Sequence, residues 1–193
     1  MKNLLASLLE KRIVEDTRKK IRLEVSRIGI KDGILDLGGG GNGSFAYNGL
    51  KVVGADKHKE RLERLKAYKK VIVDADKKLP FKGNTFKVVI FAGVIQYLKN
   101  YRKAIKEVNR ILKSDGILIL TTVNRSSSLR RLGMISKEAK KERGEYQTFD
   151  TKQLVSLLHE SGFKIKKIIG SDFTLMPRNL SSNIIFIAIK SRG

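Results

Sequence analysis

A doubly wound α/β domain, built on a mostly parallel seven-stranded sheet with an antiparallel last strand, is what the 193-residue sequence predicts. Three observations carry this. Short apolar runs alternate along the chain with stretches of helical periodicity, the pattern of strand–helix–strand units and a parallel sheet. The first such run, Gly33 to Leu37, opens directly onto a glycine-rich turn, Gly38-Gly39-Gly40-Gly41-Asn42-Gly43. The last two runs, Lys164 to Gly170 and Asn183 to Ser191, have no helical stretch between them, which suits an antiparallel insertion at the sheet edge.

The elements follow in order. Lys2 to Ile28 is expected to be helical, because Leu4, Leu5, Leu8, Leu9, Ile13, Val14, Ile21, Val25 and Ile28 recur at three- and four-residue spacing. Gly29 is its stop, and Lys11, Arg12, Arg18, Lys19 and Arg22 make its opposite face basic. Strand one is Gly33 to Leu37, strand two Lys51 to Ala55 and strand three Lys70 to Asp76. Lys57 to Tyr68 reads as a charged helix with Leu62 and Leu65 inward. Phe86 to Ile95 is a continuous apolar run, the mark of a central parallel strand. A helix from Tyr101 turns Ala104, Ile105, Val108, Ile111 and Leu112 inward and is expected to stop at Gly116, before strand five at Ile117 to Val123. A charged segment, Asn124 to Gln147, leads to a capped helix with Leu154, Leu157 and Leu158 inward and Gly162 at its end.

Composition excludes several chemistries. The chain has no cysteine, so disulfides, cysteine-ligated zinc, iron–sulfur clusters and cysteine nucleophiles are out. His58 and His159 are its two histidines, far apart in sequence, and no metal site is expected. No apolar run approaches the roughly 20 residues that span a bilayer, and the N-terminus turns charged too soon for a signal peptide. A cytoplasmic location and no membrane insertion are the expectation. The formal net charge is +22, from 41 basic against 19 acidic residues. A field of that sign attracts polyanions or phosphorylated small molecules. A lysine-rich, cysteine-free thermophile surface is the plainer alternative; thermophilic enrichment, however, normally raises glutamate along with lysine.

The glycine turn lets a ligand approach backbone where a side chain would clash. An acid at the end of the next strand, Asp56, can accept both hydroxyls of a ribose. Gly38, Gly40 and Gly43 also spell the dinucleotide fingerprint, and Asp56 stands 18 residues after Gly38 in either reading. Asp36 separates the two. A carboxylate two residues before the turn repels a pyrophosphate but suits the cationic amino group of S-adenosylmethionine.

At these residues the chain resembles the class I S-adenosylmethionine-dependent methyltransferases, whose first motif, acid-x-Gly-x-Gly, is matched by Asp36-Leu37-Gly38-Gly39-Gly40. The resemblance is to the branch related to quinone-biosynthesis enzymes. It continues through Val52 to Leu62, through Asp74 to Asp76, through Leu79-Pro80-Phe81, and through Val94-Ile95-Gln96-Tyr97-Leu98. It implies a Rossmann-like methyltransferase fold in one domain over 1–193: a helix in 1–31, a cofactor-binding half in 32–123, and a lid with C-terminal strands in 124–193. It also implies S-adenosyl-L-methionine as cofactor, with Asp36, Gly38, Gly40, Asn42, Asp56, Lys57, Asp74, Ala75, Asp76 and Gly93 as binding residues. Asp74 and Asp76 compete for the adenine contact. The chain departs from the family pattern twice: the third glycine falls on Asn42 or Gly43, and only Ser44 to Leu50 separates the turn from strand two, too short for the usual helix.

The methyl acceptor is narrowed by elimination. Without cysteine, pyrimidine C5 methylation through a thiol adduct is out. Phe91-Ala92-Gly93-Val94-Ile95-Gln96-Tyr97 replaces the Asn/Asp-Pro-Pro-Tyr/Phe segment that holds exocyclic base amines. Tyr97 and His159 are the acid/base candidates, each with a plainer reading, as cleft wall and helix surface. The 124–147 insertion carries Arg125, Arg130, Arg131, Lys140, Lys141 and Arg143, either a phosphate-binding rim or a solvated face. A small or anionic acceptor is the leading expectation, RNA the second, and a cofactor-binding module without catalysis the third.

Overall fold

The computed structural model describes residues 2–39, 49–132, 134, 147–171, 177 and 180–192, with side chains from Leu5 onward. In chain order the elements are α1 (Lys2–Ile28), β1 (Ile34–Leu37), β2 (Val52–Asp56), α2 (Lys59–Arg64), β3 (Lys69–Ile72), β4 (Phe86–Ala92), a 3-10 turn (Ile95–Tyr97), α3 (Tyr101–Ile111), β5 (Leu112–Val123), α4 (Ser128–Arg131), α5 (Thr151–Glu160), β6 (Phe163–Gly170) and β7 (Asn183–Lys190). The seven strands form one sheet in the order β3-β2-β1-β4-β5-β7-β6. β7 runs antiparallel to both of its neighbours, and the other strand pairs are parallel. The last strand is therefore antiparallel, as expected, but stands one place in from the edge, which β6 occupies.

Side-chain alternation along the strands divides the core into two layers. Leu35, Leu37, Phe91, Leu118 and Phe186 face α3 and α5 through Ile105, Val108, Leu154 and Leu158. Ile34, Val88, Ile90, Ile119 and Ile185 face α1 through Ile21 and Val25. Of the apolar positions expected to face inward on α1, Ile13, Ile21 and Val25 are buried, while Leu5, Leu8 and Val14 are exposed. The buried stripe also carries Thr17 and Glu24, which are tied down. Asn183 Nδ2 donates to Thr17 Oγ1 at 3.1 Å, and Lys167 Nζ donates to Glu24 Oε1 at 2.8 Å.

Four boundaries differ from expectation, the first being that β4 ends at Ala92 and Ile95 opens the 3-10 turn instead of closing the strand. The second helix is six residues, ending where Leu65 takes extended backbone and places its side chain over Gly54: a Cβ on Gly54 would lie 2.1 Å from Leu65 Cδ2. β3 ends at Ile72, so Asp74 and Asp76 lie in the turn beyond it and not in the strand. α3 ends at Ile111, and Gly116 is not its cap. The left-handed position is Asp115 (φ 60°), and Gly116 lies buried in β5, where a Cβ would stand 2.7 Å from the Lys113 carbonyl oxygen. α5 is capped as the sequence indicates: Asp150 accepts from Gln153 N while Gln153 Oε1 accepts from Asp150 N.

Candidate active site

Ligands of open parallel sheets bind beyond the carboxyl ends of the strands, where the strand order reverses. Here the reversal lies between β1 and β4, neighbours in the sheet from which the chain proceeds in opposite directions. The turns leaving these two strands pack on each other. Gly38 (φ 78°) follows β1, and a Cβ there would meet Val94 Cγ2 at 2.2 Å. Gly93 (φ 68°) follows β4, donates its N–H to the Thr121 carbonyl at 3.0 Å, and faces the Gln96 carboxamide.

The acids gather at this edge. Asp36 is fully buried in β1, and by alternation it shares the α1 side of the sheet with Ile34. Its strand partner is Gly54, two residues before Asp56, so the two carboxylates stand on the same face of adjacent strands. Asp56 is 5% exposed and accepts the His58 N–H at 2.9 Å. Lys57, next to it, is exposed. Beyond β3, Asp74 Oδ1 accepts the Asp76 N–H at 3.1 Å, and Asp76 Oδ1 accepts the Asn100 N–H at 2.8 Å, pinning the start of α3. Ala75 between them is half-buried against the core. The Leu79-Pro80-Phe81 turn is held from α3: Arg110 donates to the Leu79 and Phe81 carbonyls, and Glu107 accepts the Leu79 N–H at 2.9 Å. Their mutual ion pair at 2.8 Å lowers the Glu107 pKa and raises that of Arg110.

The fold thus brings Asp36, Gly38, Asp56, the Asp74–Asp76 turn and Gly93 to one edge. Gly40 and Asn42 lie outside the described residues, as do Lys140, Lys141 and Arg143. Tyr97 is half-buried in the 3-10 turn after β4. His159 does not join the edge: it is exposed in the last turn of α5, next to the connection to β6. Arg125 turns back on its own segment, donating to Thr148 Oγ1 and to the Thr148 carbonyl. α4, with Arg130 and Arg131, adjoins α1 through Leu129 against Ile13 and Leu9.

The sequence reading passed over Gln96. Its side chain is buried, its Oε1 accepts from Thr122 Oγ1 at 3.1 Å, and its backbone carbonyl accepts the Gln147 N–H at 2.7 Å. It joins the turn after β4 to the end of β5 and to the segment returning toward α5. The available signal was an amide between Ile95 and Tyr97, directly after the apolar run that forms β4.

The donor set decides what fits. The buried ionisable side chains at this edge are carboxylates, which only accept hydrogen bonds. Such a set fits a ligand rich in hydroxyl and amine donors and opposes a pyrophosphate. Among the described residues no group of His, Cys, Asp or Glu could hold a metal ion, and no helix is long and apolar enough to cross a membrane.

Comparison with known proteins agrees. Residues 8–168 match the family described as a methyltransferase domain. An uncharacterized protein of Methanocaldococcus jannaschii is 27% identical, over 90% of this chain and 82% of its own length. The ubiquinone biosynthesis O-methyltransferase of Rickettsia typhi is 27% identical, over 84% of this chain and 72% of its own. In structure, the PH0226 protein of Pyrococcus horikoshii superposes with a TM-score of 0.68 at 21% identity, over 91% of both chains. With the family matched across most of its length and the acidic edge in place, this chain belongs to the methyltransferase-domain family and is an S-adenosylmethionine-dependent methyltransferase.

Proposed function

We propose that the chain methylates a small anionic acceptor. The observation that carries this is an open cavity of about 500 Å³ beside the segments that follow β4 and β5, lined by Tyr101, Arg102, Arg125, Gln147, Gln153 and Glu160 among others. That volume suits a small molecule, such sites running roughly 300–1,000 Å³. Two guanidinium groups against one carboxylate leave its wall positive. Arg102 is held by Glu160 at 2.7 Å and Arg125 by Thr148, so both are pre-positioned.

The cofactor's sulfonium supplies an electrophilic methyl group when bound, and the chain's part is to align the acceptor and exclude water. In this reading Asp36 faces the cofactor's amino group and Asp56 accepts from the ribose hydroxyls, with Lys57 beside it. The turn at Asp74, Ala75 and Asp76 borders the adenine. Gly93 leaves the backbone open to close approach and Gly38 makes room for Val94; Gly40 and Asn42 are assigned to the cofactor on the motif alone. Tyr97 is the acid/base candidate that its place after β4 supports; the exposed position of His159 does not support that role.

The test is methyl transfer from labelled S-adenosylmethionine into a cell extract split into RNA, lipid, protein and small-molecule fractions. Label is expected in the anionic small-molecule fraction, and label confined to another fraction overturns the reading. With the acceptor in hand, Arg125→Ala should raise its KM about tenfold, the worth of one charge-assisted hydrogen bond, and leave S-adenosylhomocysteine binding unchanged.

A further inference from the structure

The positive charge is not spread evenly in its effect. On α1, basic side chains have acidic partners within the helix: Arg18 and Arg22 with Glu15, Lys20 with Asp16, and Arg27 with Glu24. Residues 51–78, which build β2, α2 and the edge strand β3, carry ten lysines and arginines against five acids. Three of those acids, Asp56, Asp74 and Asp76, belong to the cofactor edge, leaving Glu60 and Glu63 on the outer surface. Among the described residues none of the ten basic side chains is in an ion pair, and nine of them are exposed. In their midst Tyr68 is 72% exposed, with Lys51 Nζ 5.8 Å from its ring centroid.

We infer that this edge binds single-stranded nucleic acid, with Lys66, Lys69 and Lys70 on phosphates and Tyr68 as a stacking platform for a base. Exposed cations outside ion pairs, Lys70 donating only to the Glu63 carbonyl at 2.9 Å, interleaved with an exposed aromatic supply the two features that sequence-tolerant strand binding uses: counterion release and base stacking. Two competing occupants fit less well. A membrane surface asks for a helix with an exposed apolar face, whereas α2 is six residues long and buries Leu62. A protein strand added to the sheet asks for a long, flat edge, whereas β3 is four residues and begins with two lysines, which blunt strand addition. The inference does not depend on which molecule accepts the methyl group.

The test is fluorescence anisotropy of a labelled 20-nucleotide oligo(U) RNA with the full chain between 50 and 200 mM KCl. The wild type is expected to bind, with log affinity falling linearly in log salt. Lys66→Ala/Lys69→Ala/Lys70→Ala should weaken binding at least tenfold and reduce the salt slope by about two, at roughly 0.7 per phosphate neutralised on a single strand. Tyr68→Ala should weaken binding about tenfold with little change of slope. Lys11→Ala/Arg12→Ala/Lys19→Ala on α1 should cost less than threefold. No binding by the wild type at 50 mM, equal binding by the edge triple variant, a larger loss from the α1 variant, or capture by phosphatidylserine vesicles in place of RNA would each overturn the assignment. S-adenosylhomocysteine calorimetry on every variant checks the fold and separates failure of this surface from failure of the methyltransferase site.

Discussion

The Asp36 carboxylate lies directly against Gly39: a Cβ on that glycine would stand 2.0 Å from Asp36 Oδ2 and 2.2 Å from the carboxyl carbon. Gly39 is not in the left-handed region, so what it supplies is room and not backbone freedom. The acid of the first motif and the residue between its two glycines are one device, in which the turn folds back over a fully buried carboxyl group.

Gly39→Ala is therefore a selective probe. Alanine fits the backbone, so the cost falls on the position of the carboxylate. We expect S-adenosylhomocysteine to bind at least tenfold more weakly by calorimetry, with the far-UV circular dichroism of the wild type retained. Unchanged affinity would mean that the carboxylate moves aside freely and plays no part in binding.

Asp56→Ala and Asp76→Ala should fail in different ways. Asp56 is buried at the end of β2 with one oxygen on the His58 N–H, and the proposed ribose contact uses its remaining acceptor capacity. Losing charge-assisted hydrogen bonds there costs about 1.5–3 kcal/mol each, a tenfold or greater loss of cofactor affinity. Asp76 holds the Asn100 N–H at the start of α3, so its loss should lower Tm by a few degrees and affinity by less. Calorimetry and thermal melts on the two variants check the split; a larger affinity loss from Asp76→Ala would reverse the assignment.

Much of this was legible in the chain. The seven strands, the antiparallel last one, the α5 cap at Asp150 and the Gly29 and Gly162 stops all rest on local patterns, and the structure repeats them. The errors came where tertiary packing overrides periodicity. The charged segment after β2 has helical spacing to Tyr68, but Leu65 is needed over Gly54, and the helix ends there. Gly116 looks like a cap because it follows Asp115, yet it is Asp115 that takes the left-handed backbone. The Glu24–Lys167 pair and the buried contact of Gln96 with Thr122 are invisible to a reading by spacing, since the partners lie 143 and 26 residues apart.

Glu24 gives a pH-dependent prediction. It is 7% exposed on α1 and accepts from Arg27 Nη1 and from Lys167 Nζ of β6, which fastens the helix across the sheet face that carries Asp36. Burial alone would raise its pKa; the hydrogen bonds from Lys167 and Arg27 outweigh it, and the group sits below its ordinary value of 4.5. A carboxylate with a depressed folded-state pKa contributes stability that is complete above the unfolded value and is lost as pH falls through the folded one. Glu24→Gln should therefore cost about 1–2 kcal/mol at pH 7, a value held down by the solvent exposure of both cations. Its deficit relative to wild type should shrink between about pH 5 and pH 3. The wild-type acid limb will not vanish in the variant, because the Glu107 and Glu15 pKa values are lowered in the same way. Urea unfolding at pH 7, 5 and 3.5 measures this directly. A deficit that stays constant across the three pH values would show that the charge of Glu24 is not what holds α1 in place.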